Sequence, residues 1–195
     1  MATMGATYHA AALDRHPCLE WFRPRGSAYS VRMNLSPHDG APLRLRAAAP
    51  ADAPAVAALI NTAYVVEAFF KVGDRTSTEE VLDLMRRGHF LVLESDGRLD
   101  GAVYVEVETD RGYFGMLSTA PSRQKQGLGT RLVTAAEDFC RDAGCRYMEL
   151  HVVNLRTELP PYYRKLGYDE QGTGPFPDPE TATQPCHFVV MRKPL

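Results

Sequence analysis

The chain has 195 residues, of which 45% are hydrophobic and 24% charged, and its formal net charge is −2. That composition belongs to a globular domain with one core of ordinary size. It excludes a basic nucleic-acid surface and a polybasic membrane anchor, and no apolar run approaches the ~20 residues that a membrane helix needs. The N-terminus lacks a continuous hydrophobic stretch, so no secretory signal is expected and the cytoplasm is the expected compartment. Four cysteines, Cys18, Cys140, Cys145 and Cys186, form no Cys-x-x-Cys pair, so no metal site is expected. Reduced thiols are the default reading, with Cys140 in the core and Cys145 in a turn.

Residues 1–42 differ from the rest and are read as an N-terminal extension. Met1 to Ala12 is rich in Ala and Thr, and Ser36 to Pro42 has the Ser/Pro/Gly/Asp make-up of a linker. Trp21, Phe22 and Tyr29 argue against pure disorder, because such rings prefer burial. The arm is open to several readings: packing on the domain, swapping onto a neighbour, a transit segment, or sequence upstream of a start at Met33.

A first strand is expected over Pro42–Ala47, where Leu43 and Leu45 alternate with Arg44 and Arg46. Asp52 and Pro54 mark a helix start, and that helix is expected to run to about Ala68 with Val56, Leu59, Ile60 and Ala63 inward. A loop through Lys71–Ser77 leads to a second helix, Thr78–Arg87, with Thr78 as its cap. Strands follow at His89–Glu94 and Leu99–Glu108, with Asp96-Gly97 and Asp110-Arg111-Gly112 as turns. The next strand, Tyr113–Thr119, runs into Gln124-Lys125-Gln126-Gly127-Leu128-Gly129-Thr130.

Two glycines between a strand and a helix let backbone approach a ligand, and free N–H groups at the helix start point toward an anion. Two commoner phosphate patterns do not fit. A dinucleotide fingerprint needs a third glycine where Leu132 stands, and no Gly-Lys-Ser/Thr tripeptide occurs. The helix that follows is amphipathic: Leu128, Leu132, Ala136, Phe139, Cys140 and Ala143 share a face, and Gly144 stands where a left-handed C-cap belongs. Then come a strand, Arg146–Val153, and a short helix opened by Pro160-Pro161 that carries Tyr162, Tyr163 and Leu166 and stops at Gly167. A long Pro/Gly-rich connection precedes the last strand, His187–Arg192.

The spacing Gln-x-x-Gly-x-Gly at Gln124–Gly129 resembles the pyrophosphate loop of the GCN5-related N-acetyltransferases, the GNAT family. Tyr163-Arg164-Lys165-Leu166-Gly167-Tyr168 resembles that family's Tyr-x-x-x-Gly-aromatic signature at the expected distance downstream. The resemblance covers about residues 43–195, read as the acetyltransferase domain. It implies an α/β (α+β) fold, a mixed central sheet flanked by helices in the order β-α-α-β-β-β-α-β-α-β. It further implies acetyl-CoA as co-substrate and acetyl transfer to a primary amine within a ternary complex. The acceptor would be a small-molecule amine or a peptide N-terminus, with no nucleic acid or membrane partner, and a homodimer is compatible with it. The competing reading is a non-catalytic acyl-CoA-binding sensor.

By that resemblance, backbone near Leu117, Ser118 and Thr119 would hold the pantetheine arm, and Gln124 to Thr130 the pyrophosphate. Tyr163 matches the general-acid tyrosine. Family members place a glutamate at the start of the fourth strand, where this chain has Tyr113. Glu106, on one face of the third strand with Tyr104 and Glu108, is the first substitute as base. Glu149, sharing a face with His151, is the second. The family's asparagine seven residues before the tyrosine is Arg156 here, and Asn154, nine before, is the asparagine available for a cofactor contact. Arg156 itself could equally serve the cofactor, an acidic acceptor or the surface. Tyr64, Glu67 and Phe70 at the end of the first helix are read as acceptor-binding residues, with Glu67 holding a cationic amine and Phe69 alongside. Gly172–Gln184, with Phe176, Asp178 and Glu180, is read as a lid.

Overall fold

The computed structural model describes residues 42–195. Cys18, Trp21, Phe22, Tyr29 and the extension they belong to lie outside the described residues.

The chain order is β1 (Arg44–Ala47), α1 (Ala53–Tyr64), α2 (Thr78–Arg87), β2 (His89–Ser95), β3 (Arg98–Glu108), β4 (Arg111–Thr119), α3 (Leu128–Asp142), β5 (Tyr147–Val153), α4 (Leu159–Lys165), β6 (Asp169–Pro175) and β7 (His187–Pro194). The seven strands form one mixed sheet in the order β1-β2-β3-β4-β5-β7-β6. This is the expected architecture with one strand added. β6 lies in the connection before the last strand, overlapping the start of the Gly172–Gln184 segment read as a lid, and it pairs antiparallel with β7 at the sheet edge. Six of its seven residues are exposed, and Gly172 and Gly174 interrupt it. It therefore carries no apolar alternation for a sequence pattern to reveal.

The local chemistry explains where the helices begin and end. The Asp52 carboxylate at the start of α1 accepts from the Ala49 N–H at 2.7 Å and from Arg46 Nη1 at 2.6 Å. α1 stops at Tyr64, short of the expected Ala68, and a 3₁₀ turn over Val65–Glu67 replaces its last residues. The cap of α2 is Ser77 rather than Thr78. Ser77 Oγ accepts from the Glu80 N–H at 3.2 Å and Glu80 Oε2 accepts from the Ser77 N–H at 2.9 Å, a reciprocal capping box. At the end of α3, Gly144 takes φ +87°, and the Cys145 N–H donates to the Cys140 carbonyl at 2.9 Å.

Two apolar layers sandwich the sheet. On one face Leu91, Leu93, Val103, Val105 and Phe114 pack under α3 and α4. On the other, Phe90, Val92, Ala102 and Tyr104 meet Val56 and Ile60 of α1 and Val81 of α2. β2 and β3 are buried on both faces, which accounts for their nearly continuous apolar sequence. Cys145, read as a turn residue, is buried in the first layer with Cys140, because the left-handed Gly144 turns the chain back under the helix. α3 is fastened to the far strands by a buried carboxylate. Glu137 Oε1 accepts from the Tyr168 hydroxyl at 2.7 Å and Oε2 from Lys193 Nζ at 2.8 Å.

Candidate active site

β4 and β5 are parallel neighbours for three residue pairs only, Arg111–Tyr147, Gly112–Met148 and Tyr113–Glu149. Beyond Tyr113 the two strands diverge, so the edge of β4 that faces β5 has no strand partner. β4 is also irregular against β3. The register shifts between the Ala102–Ser118 and Tyr104–Gly115 pairs, and Met116 sits at φ +50°. Backbone groups at Met116 and Leu117 therefore leave the β3 ladder. Ser118 and Thr119 remain paired with Ala102 and Gly101, and Ser118 Oγ donates to the Met116 carbonyl at 3.0 Å.

A cavity of about 70 Å³ fills the divergence. Tyr113 to Leu117 of β4 and Leu150 to Val153 of β5 form its sides, and Leu159 and Tyr163 of α4 border it. Tyr64, Glu67, Lys71 and Arg75 form a third wall, and Phe176 and Phe188 a fourth.

The loop Gln124–Thr130 lies at the start of α3, after a 3₁₀ turn over Pro121–Arg123. Gly127 takes φ +77° as N-cap, and no side chain caps the helix. The first intrahelical bond at this end comes from the Arg131 N–H to the Gly127 carbonyl at 3.1 Å. The N–H groups of Leu128, Gly129 and Thr130 thus have no acceptor within the helix. Lys125, at φ +60°, and Gln126 complete an exposed turn before them. The turn is anchored from behind, where Arg123 lies 3.7 Å from the buried Asp100 carboxylate. An uncapped helix N-terminus beside a left-handed glycine suits a pyrophosphate, since the helix dipole adds about 0.3–1 kcal/mol per anion to the hydrogen bonds.

The adjacent tyrosines of α4 have different surroundings. Tyr162 reaches the loop, with its hydroxyl 3.3 Å from Thr130 Oγ1. Tyr163 is buried against Phe114 and Tyr168 and lines the cavity. No hydrogen bond among the described residues engages its hydroxyl. Burial pushes that hydroxyl well above the ordinary phenol value, so it stays protonated.

The two candidate bases have different situations. Glu106 Oε2 accepts from the Tyr104 hydroxyl at 2.8 Å, and Glu106 is not among the cavity's lining residues. Glu149 is buried between two arginines, with Arg111 Nη1 and Arg192 Nε each 2.7 Å from its carboxylate. Burial alone would raise the Glu149 carboxyl, but the hydrogen bonds from Arg192 and Arg111 outweigh it and hold it below the usual carboxylate range. A carboxylate held so strongly as the anion is a poor proton acceptor itself. Its Oε1 lies 3.1 Å from His151 Nε2. His151 lines the cavity and packs edge-on against Tyr113, at 5.4 Å between ring centroids.

The remaining expected residues are spread. Tyr64 and Glu67 line the cavity; Phe70 is fully buried, is not part of the lining, and supports Phe176 at 6.4 Å. Burial pushes the Glu67 carboxyl above its ordinary value in spite of Arg75 and Arg156, and Arg156 Nη1 donates to it at 2.9 Å. Arg156 is thus a partner of Glu67 and Glu158. Asn154 fastens β5 to β7: its Oδ1 accepts from the His187 N–H and its own N–H donates to the His187 carbonyl, both at 2.9 Å. The segment read as a lid is tied down, because the Thr183 N–H donates to the Phe70 carbonyl at 2.8 Å and the Val72 N–H to the Thr181 carbonyl at 3.0 Å.

Residues 57–168 match the family model described as the Acetyltransferase (GNAT) family. The chain belongs to that family. Two curated relatives are similar to it. Streptothricin acetyltransferase of Streptomyces lavendulae is 28% identical over 54% of this chain and 57% of its own length. A putative [ribosomal protein bS18]-alanine N-acetyltransferase of Bacillus subtilis (strain 168) is 27% identical over 43% of this chain and 56% of its own. The chain thus spans a little over half the length of the curated relatives it matches. A solved GNAT structure, a putative acetyltransferase from Salmonella typhimurium with its cofactor acetyl-CoA, superposes with TM-score 0.62 at 18% identity, over 78% of this chain and 94% of that one. Among the described residues no helix is long and apolar enough to cross a membrane.

Proposed function

We propose that this GNAT chain is an acetyl-CoA-dependent N-acetyltransferase that transfers acetyl directly to a primary amine in a ternary complex. One observation carries the reading: the cavity at the β4–β5 divergence is lined by both His151 and Tyr163, whose hydroxyl has no hydrogen bond among the described residues, and Tyr162 of α4 reaches the uncapped end of α3. The free β4 edge at Leu117 suits an extended amide-bearing arm, and the loop Gln124–Thr130 suits the pyrophosphate.

Bound acetyl-CoA supplies an activated thioester carbonyl, so orientation accounts for much of the rate. His151 is the proposed base. With Glu149 held as the anion, the His151 Nε2–H donates to it and Nδ1 keeps the lone pair. Nδ1 takes the proton that the amine nitrogen sheds as its bond to the acetyl carbon forms. Tyr163 gives its hydroxyl proton to the sulfur as the carbon–sulfur bond breaks, and solvent restores it. Glu149 is a positioning residue that fixes the His151 ring. This pairing favours transfer over a CoA-binding sensor, which needs neither group.

The acceptor is a small-molecule amine or a peptide N-terminus, and the names of the two curated relatives include one of each kind, streptothricin and a ribosomal-protein alanine. The cytoplasm is the proposed compartment, in keeping with the free thiols of Cys140, Cys145 and Cys186.

Initial rates measured against both substrates test direct transfer. Intersecting double-reciprocal lines are expected, and His151→Gln should lower kcat by about a hundredfold with the KM for acetyl-CoA little changed. Parallel lines, the pattern of an acetylated enzyme, would rule the ternary mechanism out.

A further inference from the structure

The acceptor wall carries a guanidinium that forms no ion pair within 4.0 Å among the described residues, Glu67 being its electrostatic neighbour at longer range. Arg75 borders both the cavity of about 70 Å³ beside Tyr163 and an adjoining recess of about 130 Å³. Its backbone is pinned to α1. Asn61 Oδ1 accepts from the Arg75 N–H at 2.9 Å and the Thr76 N–H at 3.0 Å, and Asn61 Nδ2 donates to the Thr76 carbonyl at 2.8 Å. Its side chain lies over the Tyr64 ring, 5.4 Å from the centroid. Among the described residues, no carboxylate lies within 4.0 Å of it and no acceptor takes its N–H groups. An arginine held by backbone pinning and ring stacking, with its planar fork left open, is arranged to receive an oxyanion.

The neighbouring charges point the same way. Lys71 borders both recesses, and its Nζ donates to the Asp74 carbonyl at 3.0 Å, a contact with no charged partner. Glu67, the acid that borders both, already accepts from Arg156 at 2.9 Å. Asp74 borders the second recess and not the first. Two cations that form no ion pair within 4.0 Å among the described residues therefore face the cavity, and the one acid they share at longer range, Glu67, is already hydrogen-bonded to Arg156.

We infer that the acceptor amine carries an oxyanion, a carboxylate or a phosphate, elsewhere on the same molecule, and that Arg75 recognises it. This rests on the acetyl-transfer reading above, and it adds an anion to the cationic amine that Glu67 was expected to hold. The preference comes from charge-assisted hydrogen bonds to the fork, with Lys71 adding attraction.

The test uses the full chain with acetyl-CoA and matched acceptor pairs that differ in the anion: tyrosine and tyramine, histidine and histamine, O-phosphoethanolamine and ethanolamine. The readout is kcat/KM for release of the free thiol. The anionic member should win in at least one pair by tenfold or more, and which pair does so separates carboxylate from phosphate. Arg75→Gln should cut that ratio by about ten- to a hundredfold. Arg75→Lys, which keeps the charge without the fork, should retain part of it. Release confined to the members without the anion, equal kcat/KM within every pair, or equal loss for both members in Arg75→Gln and Arg75→Lys, would overturn this inference and leave acetyl transfer standing. Acetyl-CoA binding with no release from any acceptor would overturn the acetyl-transfer reading, and this inference with it.

Discussion

Tyr163→Phe is expected to lower kcat about a hundredfold while leaving the affinity for acetyl-CoA nearly intact. The substitution removes one hydroxyl and keeps a ring that packs against Tyr162, Tyr168 and Phe114 at centroid distances of 5.1, 6.1 and 5.9 Å. No protein group hydrogen-bonds that hydroxyl among the described residues, so its loss orphans no buried partner and the fold should hold. The loss then falls on the protonation of the departing sulfur. A thiolate leaves more readily than an alkoxide, and water can replace the phenol in part, so the loss should sit at the lower end for general-acid groups. Steady-state kinetics with calorimetry of acetyl-CoA binding separates the two quantities. A variant with wild-type kcat would remove Tyr163 from the reaction.

Gly127→Asp should weaken CoA binding by at least a hundredfold, because juxtaposed like charges cost several kcal/mol (about 1.4 kcal/mol per tenfold). Position 127 has φ +77°, where aspartate is one of the better-tolerated side chains, and nothing lies within 4 Å of an added Cβ. The helix should therefore form, even gaining a cap from the new carboxylate. That carboxylate would occupy the N–H groups of α3 and repel the pyrophosphate. Gly127→Ala carries a backbone strain of about 1–2 kcal/mol, no less than that of aspartate, without the charge and should bind far better than the aspartate variant. Calorimetric titration with CoA, next to thermal melts of both variants, reads the difference. Wild-type affinity in Gly127→Asp would mean that the loop does not hold the phosphates.

The parts of this fold written in short-range pattern were legible in the sequence. The loop–helix unit from Gln124 to Gly144 announces itself through two glycines and the period-3.6 alternation of α3. β6 was not legible, because an exposed edge strand interrupted by glycine buries too little to leave a pattern. The Ser77 cap was missed by one residue, since Ser77 and Thr78 are both good caps and only the Glu80 spacing distinguishes them.

The site divides similarly. The loop and Tyr163 follow from local motifs; Tyr163 borders the gap where β4 and β5 part, and its neighbour Tyr162 reaches the loop. The surroundings of the acids depend on pairings across the fold. Glu149 meets Arg111 and Arg192, which are 38 and 43 residues away, and no local signal marks it as a carboxylate committed to two guanidiniums. Arg156 meets Glu67 across 89 residues. Arg75 lies in a loop with no motif of its own, and its only sequence-level hint is an asparagine, Asn61, in the helix that precedes it.

The most direct measurement is release of free CoA thiol from acetyl-CoA across a panel of amines, with calorimetric titration of acetyl-CoA alongside. Acetyl-CoA binding together with thiol release that requires an amine is the predicted result. Binding without release from any amine, or no binding at all, would contradict acetyl transfer at the β4–β5 gap.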